Sequence, residues 1–336
     1  MTLKWGLLSK YRNEIYGLSI LWIMIFHGLI IKNVALDYPL KFLTSILKRG
    51  NLGVEVFLFL SGICLYYSMS CDSRIRIFYK KRLKRIVFPY LTIAGIFWFI
   101  KHVLSQGHLL SFIKQITFYN FWINGNSSEW FIALIFPLYI VYPFIYKKLL
   151  KTNKRFLLLV LILIVYAFLT ILRIHYNVYY GKVEIALSRI PIFLLGCFFG
   201  KTVFENGEIK KTYLYGWIFL TILVWLGFYF KLYSLTKIHR LPYFFAGPLV
   251  CVLFCFIFEK IEQAGWTKSF IMLNYAGTIS LELYLSHLIL RRFFIASKYY
   301  SNYPPANFHE YVILVIGGAI CISIIVRFLS NKIFVK

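Results

Sequence analysis

Ten apolar blocks separated by short polar loops divide this chain of 336 residues: 15–31, 52–69, 87–104, 130–146, 156–172, 190–204, 213–230, 241–258, 278–294 and 311–328. Crossing a hydrocarbon core takes roughly 20 helical residues, about 17 at the short end, because each adds about 1.5 Å. All but 190–204 reach that length, and that block reads as a short, tilted or protein-wrapped span. Residues 109–123 are apolar but interrupted by Lys114 and Gln115, the pattern of an interfacial or re-entrant segment. Lipid offers the backbone no hydrogen-bonding partner, so blocks of this length are expected to be helices. The expected fold is all-α, a polytopic membrane protein with about ten transmembrane helices in one bundle. No repeat, low-complexity tract or Pro/Gly/Ser-rich linker breaks the series, so 1–336 reads as a single integral-membrane domain.

The loops set the orientation. Seven Lys and Arg lie between Arg74 and Arg85 and five between Lys147 and Arg155, on one side of the series. Positive-inside bias makes that side cytoplasmic and places both termini there. Lys4, Lys10 and Arg12 precede the first block, which lacks a small-residue cleavage site and so reads as a span rather than a signal peptide. Composition agrees: 60% of residues are hydrophobic, 20% aromatic and only 15% charged, against about 25% charged in soluble domains. The expected location is a cell (plasma or inner) membrane, crossed many times. The net charge of +26 lies in short loops, with no soluble basic domain to hold a duplex, so nucleic acid is not an expected partner. Cys64, Cys197, Cys251, Cys255 and Cys321 lie in apolar blocks without a CxxC pair and read as small hydrophobes.

Among the ionisable residues inside the apolar blocks, three stand out: His27, Glu55 and His287. Such groups in a membrane must face protein or a water-filled cavity, and they are candidate functional residues by default. Histidine is the one that exchanges protons near neutral pH. Eleven residues separate Tyr16 from His27, about 20° around a helix after whole turns, so both lie on one face with Arg12 one turn before Tyr16. With Ile15 at the cytoplasmic edge, His27 lies about 18 Å deeper, in the outer half of the membrane. Glu55, near the outer end of the second block, matches that depth. Bland readings stand beside these: polar interhelical packing for the histidines, and snorkelling to the outer surface for Glu55.

Five motifs then recur in a fixed order. They are Gly53-Val-Glu55-x-Phe57-x-x-x-Ser61-Gly62; Arg82-Leu-Lys-Arg85-Ile-x-x-Pro89-Tyr90; Trp130-Phe131 followed by Tyr139 and Pro143; Arg189-Ile-Pro191-Ile-Phe193-Leu-Leu-Gly196-x-x-x-Gly200; and Gly277-Thr-Ile-Ser280-Leu-Glu-Leu-Tyr284-Leu-Ser-His287. Together with His27 they resemble the membrane-bound acyltransferase family 3, ten-span enzymes that acylate carbohydrates at the cell surface. The chain departs from that pattern at Tyr16, where the family carries arginine, and at Ile135, where it carries an acidic residue.

The resemblance implies transfer of an acyl group, acetyl foremost, from acyl-CoA to a hydroxyl of a surface or exported polysaccharide. Such a reaction needs a base for the hydroxyl proton and donors for the oxyanion. His27 suits the base, and Glu55 can orient its ring or stabilise the imidazolium, as a carboxylate does in a hydrolase triad. Arg82 and Arg85, three apart at the cytoplasmic face, can pair with coenzyme A phosphates, joined by Arg12 and Tyr16 in place of the family arginine. The other reading of Arg82 and Arg85 is ordinary positive-inside charge. Ser61, Trp130, Arg189, Tyr284 and His287 are the candidate acceptor-binding residues, with Glu184 or an anionic substrate group as the partner of Arg189. Acyl-CoA is a co-substrate rather than a resident cofactor, and no metal site is expected. The expected partners are acyl-CoA, a carbohydrate acceptor, membrane lipids and a second copy of the chain in a homodimer. Two other readings remain: a proton-coupled transporter or flippase of a glycan or lipid-linked sugar, with His and Glu as a relay, and a family member without activity.

Overall fold

The computed structural model describes residues 4–32, 41–125, 129–230, 240–296 and 310–334. Of the described residues 86% are helical, and none lies in a strand. Eight helices among them are long and apolar enough to cross a membrane. In chain order, with two further helices at predicted spans, they are α1 (Arg12–Lys32), α2 (Leu52–Cys71), α3 (Ile75–Leu104), α4 (Trp130–Leu150), α5 (Leu157–His175), α6 (Asn177–Phe204), α7 (Lys211–Tyr229), α8 (Leu241–Gln263), α9 (Ser280–Ala296) and α10 (Tyr311–Phe334). Every predicted block therefore falls on a helix. The marginal block 190–204 belongs to the 28-residue α6, whose apolar window is 67% buried, so the protein-wrapped reading is the one observed. Residues 109–123 form two short helices, Leu109–Ile116 and Tyr119–Trp122, joined through Phe118 in the left-handed region at φ 63°. In the first of these Gln115 is buried while Leu109, Leu110 and Ile113 face outward.

The chain forms two compact units. One contains Met1–Ile15, Glu55–Phe78 and Phe118–Ser269; the other contains Tyr16–Val54, Tyr79–Thr117 and Phe270–Lys336.

In the first unit α2 and α6 meet backbone to backbone. A Cβ on Gly196 would lie 2.1 Å from the Phe59 carbonyl oxygen, and one on Gly62 2.5 Å from that of Phe193. Small residues permit such crossings in membranes, where close packing rather than the hydrophobic effect joins helices. Beside it α5 packs along α6 through Leu169, Leu172, Tyr180 and Val183. Helix α6 itself breaks at Ser188–Arg189 and restarts at Ile190 with Pro191 in its first turn, where a missing N–H leaves no bond unmade. Helix α8 starts the same way, with Pro242 in its first turn and Arg240 just before it. Both arginines are thus delivered at helix starts by a proline rule.

The second unit is built on α3, α9 and α10, with α9 packed along α10 and against α3. Phenol and indole groups donate across it: the buried Tyr311 Oη to the Met24 carbonyl at 2.9 Å, and the partly exposed Trp22 Nε1 to that of Ile46 at 3.1 Å. Within α3, Pro89 has no N–H to give, and the flanking turns Leu83–Val87 and Tyr90–Gly95 widen to an i→i+5 pattern.

Candidate functional site

Three polar groups stand inside apolar surroundings, two in the second unit and one in the first. In the second unit His287 is fully buried, on the face of α9 turned to protein. Its Nδ1 lies 2.9 Å from the Leu283 carbonyl oxygen, one turn back on the same helix. Its Nε2 lies 3.0 Å from Nδ1 of the partly buried His27 on α1. The two rings are near parallel, with centroids 5.3 Å apart. Tyr284, one turn before His287, sets its ring edge-on to that imidazole at 5.7 Å. Arg291, one turn beyond His287, acts electrostatically on both rings. Among the described residues no hydrogen bond reaches Nε2 of His27.

The first unit holds an ion-paired cluster. Glu55, in the first turn of α2, faces Arg189 with Oε1 2.9 Å from Nε, and each side chain is 2% exposed. The first turn of a helix favours a negative charge there. Arg189 also donates from Nη1 to the Ile185 carbonyl at 2.6 Å, and its guanidinium lies 4.5 Å from the centre of the Trp130 ring. Arg240 pairs with Glu184, Nε to Oε1 at 2.9 Å and to Oε2 at 3.2 Å. The buried Tyr166 hydroxyl lies within electrostatic reach of Glu55. Gly247 of α8 lets that helix close on the acid, since a Cβ there would sit 3.2 Å from Cβ of Glu55.

A third group lies in the second unit, at the opposite end of α9 from Arg291. Glu282, in the first turn of α9 and 1% exposed, faces Arg327 of α10 with Oε1 3.7 Å from Nη1, and Arg85 acts on it electrostatically. Arg82 and Arg85 are both partly exposed.

The candidates read from sequence are thus divided. His27, Tyr16, Arg82, Arg85, Tyr284 and His287 belong to the second unit, and Arg12, Glu55, Ser61, Trp130 and Arg189 to the first. Glu55, expected to orient His27, is paired with Arg189 instead, and the group bonded to His27 is His287. Glu184, expected opposite Arg189, is held by Arg240. Tyr16 is buried on α1, Arg12 is the first residue of that helix, and Ser61 is buried beside Gly62. Sequence reasoning passed over Glu282, Arg240, Arg291 and Arg327. Glu282 carried the signal that exposed Glu55, an acid inside an apolar block; the arginines sit near block edges and look like ordinary flanking charge.

The family model for the acyltransferase domain, Acyl_transf_3, matches residues 17–328, nearly the whole chain. The chain belongs to this acyltransferase family. No curated protein and no solved structure matches it. All the motifs quoted above lie within the matched range, so both units of this acyltransferase are family structure rather than additions. Acyl transfer in general calls for a base and for donors to a developing oxyanion. His287 and Arg291 stand one turn apart on α9, and His27 meets His287 from α1.

Proposed function

We propose that this acyltransferase moves an acyl group, acetyl foremost, from acyl-CoA to a hydroxyl of a surface or exported glycan, with His27 as the general base. The observation that carries the reading is the contact between His27 and His287 inside the membrane-spanning region. Imidazole is the side chain suited to take and return a proton near neutral pH. In the proposed reaction His27 removes the acceptor hydroxyl proton as its oxygen attacks the thioester carbonyl. The tetrahedral intermediate collapses with loss of the coenzyme A thiolate, which takes the proton back from the imidazolium. Atoms and charge balance with no further co-reactant. Arg82 and Arg85 are proposed to receive the coenzyme A phosphates at the cytoplasmic face. The membrane proposed is the plasma or inner membrane, where a cytoplasmic donor and an exported acceptor meet.

The test is mass spectrometry of surface glycans from cells lacking the gene and from complemented cells. A discrete mass difference of one acyl group per modified unit is expected, restored by the wild-type gene and not by His27→Gln. Glutamine keeps a polar side chain but cannot exchange a proton near pH 7. Full acylation in the His27→Gln cells would remove His27 from the chemistry.

A further inference from the structure

We propose that His287 is a positioning residue that holds His27 in one tautomer, with the proton on Nδ1 and the free lone pair on Nε2. The hydrogen-bond chain is anchored at its far end. The Leu283 carbonyl oxygen can only accept, so the His287 Nδ1 that lies 2.9 Å from it carries a hydrogen. A neutral imidazole has one N–H, which leaves Nε2 of His287 as an acceptor. The atom 3.0 Å from that acceptor is Nδ1 of His27, so the hydrogen between the rings belongs to His27. Nε2 of His27 is then the basic nitrogen, and it is the ring atom that no described residue engages.

The surroundings keep this order from reversing. A flip of the His287 ring would break both bonds at once, and Tyr284 packs edge-on against it. Arg291, the charged group whose field reaches both rings, is a cation and offers no acceptor to compete for either N–H. The arrangement differs from a Ser-His-Asp triad, in which a carboxylate fixes the tautomer. Here a neutral ring does so, and its own tautomer is fixed by a backbone carbonyl. The catalytic consequence rests on the reading of His27 as base: the acceptor hydroxyl approaches Nε2, the proton moves there, and Nδ1–H keeps its bond to His287 throughout. His287 neither gains nor loses a proton in the step.

The tautomer can be measured without any acyl transfer. The full chain, labelled with ¹⁵N-histidine and held in lipid nanodiscs at mildly alkaline pH, has seven histidines. The His27 signals are those lost in His27→Gln. A pyrrole-type Nδ1 and a pyridine-type Nε2 are expected for His27, and a protonated Nε2 in the wild-type protein overturns the proposal. Two variants sharpen it. The amide of His287→Gln reaches about where Nε2 stood and can still accept from His27, whereas that of His287→Asn overlays Nδ1 and falls short. The His27 pattern should survive in His287→Gln and be lost in His287→Asn. Glycan acylation in cells should follow, falling about 10²-fold in His287→Asn, the lower range for general-base catalysis, and within about tenfold of wild type in His287→Gln. Equal losses in the two variants overturn the positioning role. The expected tautomer together with undiminished acylation in His27→Gln cells would sink the base assignment and leave the role of His287 standing.

Discussion

Removing one partner of the Glu55–Arg189 pair should destabilise this protein far more than removing both. Each side chain is 2% exposed, with N and O 2.9 Å apart, so neither has water to fall back on. Deleting one member of such a pair strands a buried charge, at about 3–5 kcal/mol. The two deletions are not equivalent. Glu55→Met leaves Arg189 with the Trp130 ring at 4.5 Å and the Ile185 carbonyl. Arg189→Met leaves Glu55 without its guanidinium and also discards a desolvated cation–π contact worth about 2 kcal/mol. The expected order of loss is Arg189→Met, then Glu55→Met, then the double variant. The double variant carries two side chains of similar length and no charge, and buried pairs so replaced are often neutral in stability. At roughly 2 °C per kcal/mol for a long chain, Glu55→Met should lower the melting midpoint by about 6–10 °C and Arg189→Met by more. The assay is thermal unfolding of the full chain in one detergent at one scan rate, because membrane-protein midpoints are commonly kinetic. A double variant as unstable as the sum of the singles would refute the pairing argument, since uncoupled residues add.

Three further outcomes follow from the same structure. Gly196→Ala should lower the midpoint at least as far as ordinary overpacking does, about 1–3 kcal/mol, because its Cβ would meet the Phe59 carbonyl at 2.1 Å, whereas Gly216→Ala on α7, with nothing within 4 Å, should be harmless in the same melt. The Arg82→Ala, Arg85→Ala double variant should weaken coenzyme A binding by ten- to a hundredfold in calorimetry, at about 1.5–3 kcal/mol for a charge-assisted bond, and unchanged affinity leaves these arginines only a topological role. Arg12→Gln should reduce glycan acylation by more than tenfold and Tyr16→Phe by little, if Arg12 supplies the charge that Tyr16 lacks and general-base rates depend on donor placement; the reverse ranking assigns that place to the phenol.

The sequence by itself determined where the helices lie, because lipid removes every alternative to internal backbone hydrogen bonding and makes apolar length a direct readout. It also marked His27, Glu55 and His287, since an ionisable side chain in an apolar block stands out whatever its partner. Pairing was another matter. Nothing along the chain separates the assignment of Glu55 to His27 from its assignment to Arg189, because the choice depends on how α2 crosses α6. That crossing is set by Gly62 and Gly196, residues whose effect is to let two backbones touch. Depth alone suggested Glu55 for His27; the helix packing of the second unit brought His287 there instead. Arg240, Arg291 and Arg327 stand at or near block ends, where flanking cations are common, and only tertiary contact distinguishes those that act on a carboxylate or an imidazole from those that face water. Helix position is a one-dimensional property of hydropathy, while a site is a set of distances between side chains far apart in the chain, fixed by packing.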